Sequence, residues 1–259
     1  MNKICVLGDF ILDVYFQCKP RINPESNAPC FTALKAEMKI GGAGNVKENL
    51  EALGSEVDFF YSGERSTKLR VFDGNKHIFR LDDETVKYTK EELKQKEELL
   101  ISDFLENSYD YVLVSDYNKG AITKKVAKVI MESKSKVIVD CKPNHFNWFK
   151  DCYLIKPNLK EFNEMKNPSK FEHVLVTKGK EGMDLLHKGK LVANFAPIKV
   201  KAVDVTGAGD TVISTLVHFL NKNYSLIESC KLANKAGAIS VTHLGCYAVK
   251  EKEVLNFSK

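Results

Sequence analysis

The run Asp204-Val205-Thr206-Gly207-Ala208-Gly209-Asp210-Thr211 holds the residues best suited to chemistry in this chain. Two glycines flank an alanine, and a carboxylate follows. Val212, Ile213, Leu216, Val217, Phe219 and Leu220 then repeat at helical spacing. The pattern predicts a helix N-terminus at Gly207–Asp210, where backbone amides and the helix dipole favour an anion. Small residues let a phosphate approach the backbone. A carboxylate there repels a phosphate unless it has a task, and the natural task is to take a proton from an attacking hydroxyl. Asp is also a favoured N-cap, so the alternative is a plain helix start.

The elements that must hold this run are those of an α/β protein. Ile4–Leu7 is a short apolar run ending in Gly8-Asp9, read as a buried strand and its exit turn. Comparable runs lie at Val57–Tyr61, Tyr111–Val114, Val137–Val139, Tyr153–Ile155 and Val174–Val176. Helical stretches fall between several of them, most clearly at Glu91–Leu105, Thr123–Met131 and Leu159–Met165. That alternation implies a mostly parallel sheet covered on both faces. Ligands then bind beyond the carboxyl ends of the strands. Polar residues cluster there: Gly8-Asp9, Ser115-Asp116, Asp140, Lys156-Pro157-Asn158 and Thr177-Lys178-Gly179. Thr67–Phe72 and Lys76–Leu81 flank Asp73-Gly74 as a hairpin, and Gly182–His187 with Leu191–Phe195 form another. Val14–Cys18 and Cys30–Ala36 read as a β flap at about 14–36, with a loop from Lys19 to Pro29. Ser225-x-x-Glu228 is a capping box that opens a last long helix.

The 259 residues are 44% hydrophobic, enough for a full core. A net charge of +5 is mild and its lysines are dispersed, which argues against a nucleic-acid partner. No long apolar span argues for a membrane. The short apolar run after Met1-Asn2-Lys3 is too brief for a signal peptide. Seven cysteines, at 5, 18, 30, 141, 152, 230 and 246, form no metal or Cys-x-x-Cys spacing. They fit reduced thiols in a cytoplasmic protein. No Gly-x-x-x-x-Gly-Lys-Ser/Thr occurs, and Gly42-Ala43-Gly44 is followed by Lys47 where a dinucleotide fingerprint needs glycine.

Taken in order, the motifs resemble the ribokinase-like (PfkB) carbohydrate kinases over nearly the whole chain. The resemblance rests on Gly8-Asp9, Leu12-Asp13, Gly41-Gly42-Ala43-Gly44-Asn45-Val46, Lys156-Pro157-Asn158-Leu159-Lys160-Glu161, Val176-Thr177-Lys178-Gly179-x-x-Gly182 and Asp204–Thr211. A narrower set resembles the branch that phosphorylates D-glycero-D-manno-heptose 7-phosphate at its anomeric carbon. It comprises Arg21-Ile22-Asn23-Pro24-Glu25, Thr67-Lys68-x-Arg70, Arg80-Leu81-Asp82, Ser115-Asp116-Tyr117-x-Lys119-Gly120 and Asp140-x-Lys142. In that branch the 1,7-bisphosphate leads to nucleotide-activated heptose for surface polysaccharide.

The resemblance implies a three-layer α/β sandwich with a mostly parallel central sheet and a small β lid. It assigns Asp210 as general base and Gly207, Ala208 and Gly209 as the amide anion hole. Asn158 and Glu161 would arrange Mg²⁺, through water, beside the phosphates of ATP; the alternative is a capping box. Asp13, Gly41, Gly42 and Asn45 would hold sugar hydroxyls; the alternative is a turn and a helix cap. Lys68 and Arg70 share one strand face and would take the distal 7-phosphate, with Arg80 across the hairpin, unless that face is simply solvated. Asp116 and Lys119 would reach substrate or phosphates, a surface turn being the alternative. Thr177, Lys178, Gly179 and Gly182 would border the nucleotide, with Asn234 and Gly237 at the adenine. Asp204 and Thr206 resemble a monovalent-cation (K⁺) site.

Two departures accompany the likeness. Relatives carry several tens of residues where this chain has only Ser62-Gly63-Glu64-Arg65-Ser66, so a helix and a strand are expected to be missing. Asn23 and Ser26 also depart from the branch's usual residues. The expectation is one kinase domain over 1–259, with a separate nucleotidyltransferase acting downstream and a homodimer as the assembly. The rival readings are a PfkB-type kinase of another sugar, sugar phosphate or nucleoside, and a silent sugar- or nucleotide-binding module.

Overall fold

The computed structural model describes residues 3–74, 76–84 and 88–258; Met1-Asn2, Asn75, Thr85–Lys87 and Lys259 lie outside the described residues, as do the side chains of 63–65. The chain runs β1 (Ile4–Ile22), β2 (Pro29–Gly42), α1 (Ala43–Leu53), β3 (Val57–Asp73), β4 (Lys76–Asp83) and α2 (Lys90–Leu105). It continues with β5 (Tyr111–Asp116), α3 (Lys124–Met131), β6 (Lys136–Cys141), β7 (Leu154–Ile155), α4 (Leu159–Asn163) and β8 (His173–Thr177). It closes with β9 (Met183–His187), β10 (Lys190–Phe195), α5 (Ala208–Asn221), α6 (Leu226–Ser240) and α7 (Glu251–Asn256).

The strands form one sheet in the order β10-β9-β8-β7-β6-β5-β1-β3-β4, with β2 on β1. From β3 through β1, β5, β6 and β7 to β8 the pairing is parallel. All six residues of β5 are buried, as a strand covered on both faces requires. Alternate residues feed two cores. Cys5, Leu7, Val112 and Val114 pack with Leu100 and Phe104 of α2 and Val126 and Ile130 of α3. Ile4, Val6, Tyr111 and Leu113 pack with Val46 and Leu50 of α1 and Ile213, Leu216 and Val217 of α5. The sheet therefore lies between two helical layers, as the motif order implied.

The expected exit turn at Gly8-Asp9 is absent. β1 runs on without a break into a lid, where it pairs with β2 from Phe10↔Gly42 to Ile22↔Pro29. Its parallel partner β3 likewise continues from Ile4↔Val57 to Gln17↔Phe72, and β4 adds the Asp73-Gly74 hairpin, Thr67↔Asp83 to Asp73↔Lys76. The lid is thus larger than the flap at 14–36: it takes strands from β1, β2, β3 and β4. The shortened segment also has a structural form. Asp9 faces Ser62 but Ile11 faces Ser66, so residues 63–65 bulge opposite Phe10 while the backbone stays in strand. A core strand and a lid strand are fused where an inserted helix and strand were expected to be missing.

α5 lies deepest. Every residue from Asp210 to Leu220 is buried, because the helix is packed between α1, α6 and the sheet. That placement takes its first turn, with Asp210, out of bulk water.

Candidate active site

Gly207 begins α5 as its N-cap, at φ 75°, ψ 0°, a left-handed conformation that favours glycine. No side chain caps this helix, so Asp210 is not the cap. Its carboxylate instead accepts from Asn45 Nδ2 on Oδ2 at 2.7 Å and from the Tyr117 hydroxyl on Oδ1 at 2.8 Å. Burial pushes its pKa up from 3.8 to about 6, and Asp140 adds to the rise; the Asn45 and Tyr117 hydrogen bonds and Lys156 oppose it. The group is still ionised at neutral pH. Gly209 and Asp210 carry two of the amides that a helix start leaves without intrahelical partners.

Beside this turn opens a cavity of about 820 Å³, within the usual range for a small-molecule site. One wall is Gly207–Asp210. A second is polar: Asp140, Lys142, Lys156, Asn158 and Glu161. Lys156 follows β7 with its amine almost wholly buried, 2.8 Å from Asp140 Oδ2. A Cβ built on Gly209 would lie 3.4 Å from that amine, so the cation sits over the helix start. Lys142 donates to Glu161 Oε1 at 2.9 Å. Burial opposes its charge most, but the Glu161 hydrogen bond and the charges of Glu161, Asp140 and Asp210 together outweigh it and raise its pKa. Asn158 and Glu161 do form the alternative capping box: Asn158 Oδ1 accepts from the Glu161 amide and Glu161 Oε2 from the Asn158 amide. Both side chains nevertheless line the cavity.

The far end of the cavity contains Thr177, Gly179, Lys180, Gly182, Asn234 and Gly237. Lys178 is not in this wall; its amine is drawn to Asp184 Oδ2 at 2.8 Å, and Lys180 lines the cavity in its place. Asn234 donates to the Ala196 carbonyl and closes α6 onto the 196–197 segment.

The lid carries the other group of expected residues. Asp13 is buried, and Arg70 Nη1 donates to its Oδ1 at 2.5 Å. Burial disfavours the Arg70 charge, but Asp13 more than compensates. Gly41 lies against the same carboxylate: a Cβ there would lie 2.3 Å from Asp13 Oδ2. Arg70 is thus tied to Asp13 through Nη1. Arg80 pairs with Asp82 at the surface. Lys68 turns inward, 5.6 Å from the centre of the Tyr117 ring, and its half-burial lowers its pKa. Gly42 is the N-cap of α1, and Asn45 in its first turn reaches Asp210. The lid group and the cavity group therefore meet at Asp210 and Tyr117.

Asp116 is buried at the end of β5. Its carboxylate is taken up by His145 Nδ1 at 2.5 Å and the Asn118 amide at 2.8 Å, so it builds the wall between the strand end and the 143–148 turn. Lys119 pairs with Glu84. Asp204 accepts from Thr206 N and Oγ1 and from Gly245 N, which binds the 204–207 loop to the 245–246 loop and lowers its pKa despite burial.

Four residues were not given roles by sequence reasoning: Tyr117, Asp140, Lys142 and Lys156. Asp140 and Lys156 were legible as polar strand ends. Tyr117 and Lys142 stood in the branch motifs Ser115-Asp116-Tyr117-x-Lys119-Gly120 and Asp140-x-Lys142, but without a role, because an aromatic or a lysine after a strand usually serves packing or solubility.

Residues 63–253 match the pfkB family carbohydrate kinases, and the chain belongs to that family. It is 30% identical over 304 residues to the bifunctional protein HldE of Campylobacter jejuni, covering 99% of this chain and 65% of the relative. It is 32% identical over 298 residues to HldE of Coxiella burnetii, covering 97% of this chain and 62% of the relative. The chain thus spans a little under two-thirds of the curated relatives it matches. An aligned length of 304 exceeds the chain's own 259 residues, so at least 45 positions of the Campylobacter relative have no counterpart here. The fold is that of phosphofructokinase-2 from Escherichia coli in complex with potassium (TM-score 0.77, 17% identity, 98% and 97% coverage). Ribokinase from Thermotoga maritima gives 0.70 at 18% identity, covering 98% of each chain. Among the described residues no helix is long and apolar enough to cross a membrane.

Proposed function

We propose that this kinase transfers the γ-phosphoryl group of ATP to the anomeric hydroxyl of D-glycero-D-manno-heptose 7-phosphate, giving the 1,7-bisphosphate. The observation that carries the reading is the position of Asp210. It is an ionised, buried carboxylate at a helix start, with a nucleotide-sized cavity on one side and the Asp13–Arg70 lid on the other. The HldE relatives and the heptose-branch motifs, Lys68 included, support the particular sugar.

In this reading Asp13 and Asn45 orient the sugar hydroxyls, with Gly41 and Gly42 making room. Asp210 takes the proton as the sugar oxygen forms its bond to the γ-phosphorus and the bridging bond to the β-phosphate breaks. Of the amides expected to form the anion hole, that of Ala208 donates to the Val205 carbonyl at 3.3 Å, which leaves those of Gly207 and Gly209, with the amine of Lys156, to meet the charge that develops on the phosphoryl oxygens. Lys68 meets the distal phosphate, beside Arg70, which also holds Asp13. Thr177, Gly179, Gly182, Asn234 and Gly237 border the nucleotide.

Asn158 and Glu161 present hard oxygen donors at the cavity edge, already engaged by one another and by Lys142. They fit an ion that keeps most of its waters rather than one gripped directly. They would hold Mg²⁺ in that way, and the ion supplies charge neutralisation on the phosphates. Asp204 has no cationic side chain within salt-bridge reach among the described residues, so with Thr206 it fits K⁺. ATP chemistry and seven unpaired cysteines favour a cytoplasmic setting. Ile22, Leu34, Met38 and Leu81 stand exposed on the lid and favour a homodimer through it. The fused second activity of the relatives would reside in a nucleotidyltransferase acting on the product.

The test is ATP consumption with the heptose 7-phosphate, the unphosphorylated heptose, fructose 6-phosphate and ribose, each with and without Mg²⁺. Turnover confined to the heptose phosphate supports the reading. Equal turnover of the unphosphorylated heptose removes the distal-phosphate contact, and turnover of another sugar moves the substrate.

A further inference from the structure

Tyr117 stands where the lid and the cavity meet. It follows β5 directly, in a turn that Asp9 holds from below. The buried Asp9 carboxylate accepts from the amides of Tyr117 (2.7 Å), Lys119 (3.1 Å) and Ala121 (2.9 Å). The phenol hydroxyl donates to Asp210 Oδ1 at 2.8 Å, opposite Asn45 on Oδ2. The ring faces two ammonium groups, Lys68 of the lid at 5.6 Å and Lys142 of the cavity wall at 5.5 Å. A half-buried phenol so tightly oriented by backbone and cations is more than filler.

We propose that Tyr117 is a positioning residue for phosphoryl transfer: its hydroxyl fixes the Asp210 carboxylate and keeps it ionised for proton abstraction. The proposal rests on Asp210 being the base. With Asn45 and Tyr117 on opposite oxygens, the carboxylate is fixed in plane and retains lone pairs for a sugar hydroxyl. A donor to a carboxylate stabilises its charged form, and Tyr117 thereby offsets part of the burial that favours the neutral acid. The other groups around Asp210 are Asp140, which disfavours its charge, Lys142 and Lys156, which favour it, and the un-ionised thiol of Cys246. Neither cation touches Oδ1 within hydrogen-bond distance, so the phenol has no substitute there.

The test uses the full chain labelled with ¹³Cγ-aspartate. The resonance missing from Asp210→Asn identifies Asp210, and its titration is followed in the free protein. Tyr117→Phe is expected to raise the midpoint by about one pH unit, tenfold in the ionisation constant. The acid limb of kcat/KM should rise with it, kcat should fall, and the KM for ATP should hold. 3-Fluorotyrosine at position 117, a stronger donor of the same shape, is expected to move the midpoint the other way. It carries the test alone if the phenylalanine variant does not fold. Midpoints and acid limbs that stay with the parent protein in the variants overturn the proposal, whereas Asp210 remains the base if Asp210→Asn is inactive. Near-normal turnover by Asp210→Asn overturns the base assignment itself, and the proposal with it.

Discussion

Replacing Asp210 with asparagine should nearly abolish turnover and make the protein more stable. Burial holds the native carboxyl at about 6 against its ordinary 3.8, a difference worth about 3 kcal/mol at 1.36 kcal/mol per pKa unit. The sign follows from the direction of the shift. A raised carboxyl pKa means that the native state binds more protons than the unfolded chain between about pH 4 and pH 6, so this group's contribution falls as pH rises. The full cost is present above about pH 6 and is absent below about pH 4. Asparagine removes it but cannot accept from both Asn45 and Tyr117, which returns about 1 kcal/mol. A net gain of about 2 kcal/mol remains near neutral pH, or about 4–8 °C in Tm for a chain of this size. Loss of the base should lower kcat by ~10²–10⁴-fold while leaving nucleotide binding intact. The assays are coupled ADP release at saturating sugar and ATP, calorimetric binding of a non-hydrolysable ATP analogue, and thermal melts across the acid range. Turnover within tenfold of the parent protein refutes the base assignment. A stability gain that persists unchanged at pH 4 refutes the burial argument.

Three further substitutions divide the site. Arg70→Ala leaves the buried Asp13 without its cation and should raise the sugar KM by about 10–100-fold with the ATP KM unchanged; an unaltered sugar KM detaches that pair from the sugar pocket. Lys156→Met keeps most of the stem and removes the ammonium, so kcat should fall ~10²–10³-fold. A kcat within threefold of the parent removes Lys156 from the phosphoryl site. Lys68→Ala should raise the KM for a phosphorylated sugar and leave that for its unphosphorylated counterpart alone, and equal effects on both sugars would make Lys68 a lid-packing residue instead.

The helix start at Asp204–Thr211 was legible in the sequence because it is local. A Gly-rich turn before an apolar helical repeat makes a helix start wherever the chain can pack that helix. The parallel strands were equally legible, since β5 and its neighbours are continuous apolar runs that only a sheet covered on both faces can bury. Motif order was enough to imply the kinase family.

Other features depend on distant residues and were decided only by the tertiary structure. Gly8-Asp9 looks locally like a turn, yet β1 passes straight through it, because β2 and β3 supply partners along its whole length. Asp9 then binds the turn after β5, more than a hundred residues away. Lys178 and Lys180 are alike in sequence, and only the Asp184 contact and the cavity wall distinguish them. Arg70 and Lys68 share a strand face, but the position of Asp13 gives one to the carboxylate while the other reaches Tyr117. Asp210 owes its proton affinity to the burial of α5 between α1, α6 and the sheet, and its fixed orientation to Asn45 and Tyr117. Local sequence determined that a carboxylate would stand at a helix start; the packing of remote elements around it decided that it could be a base.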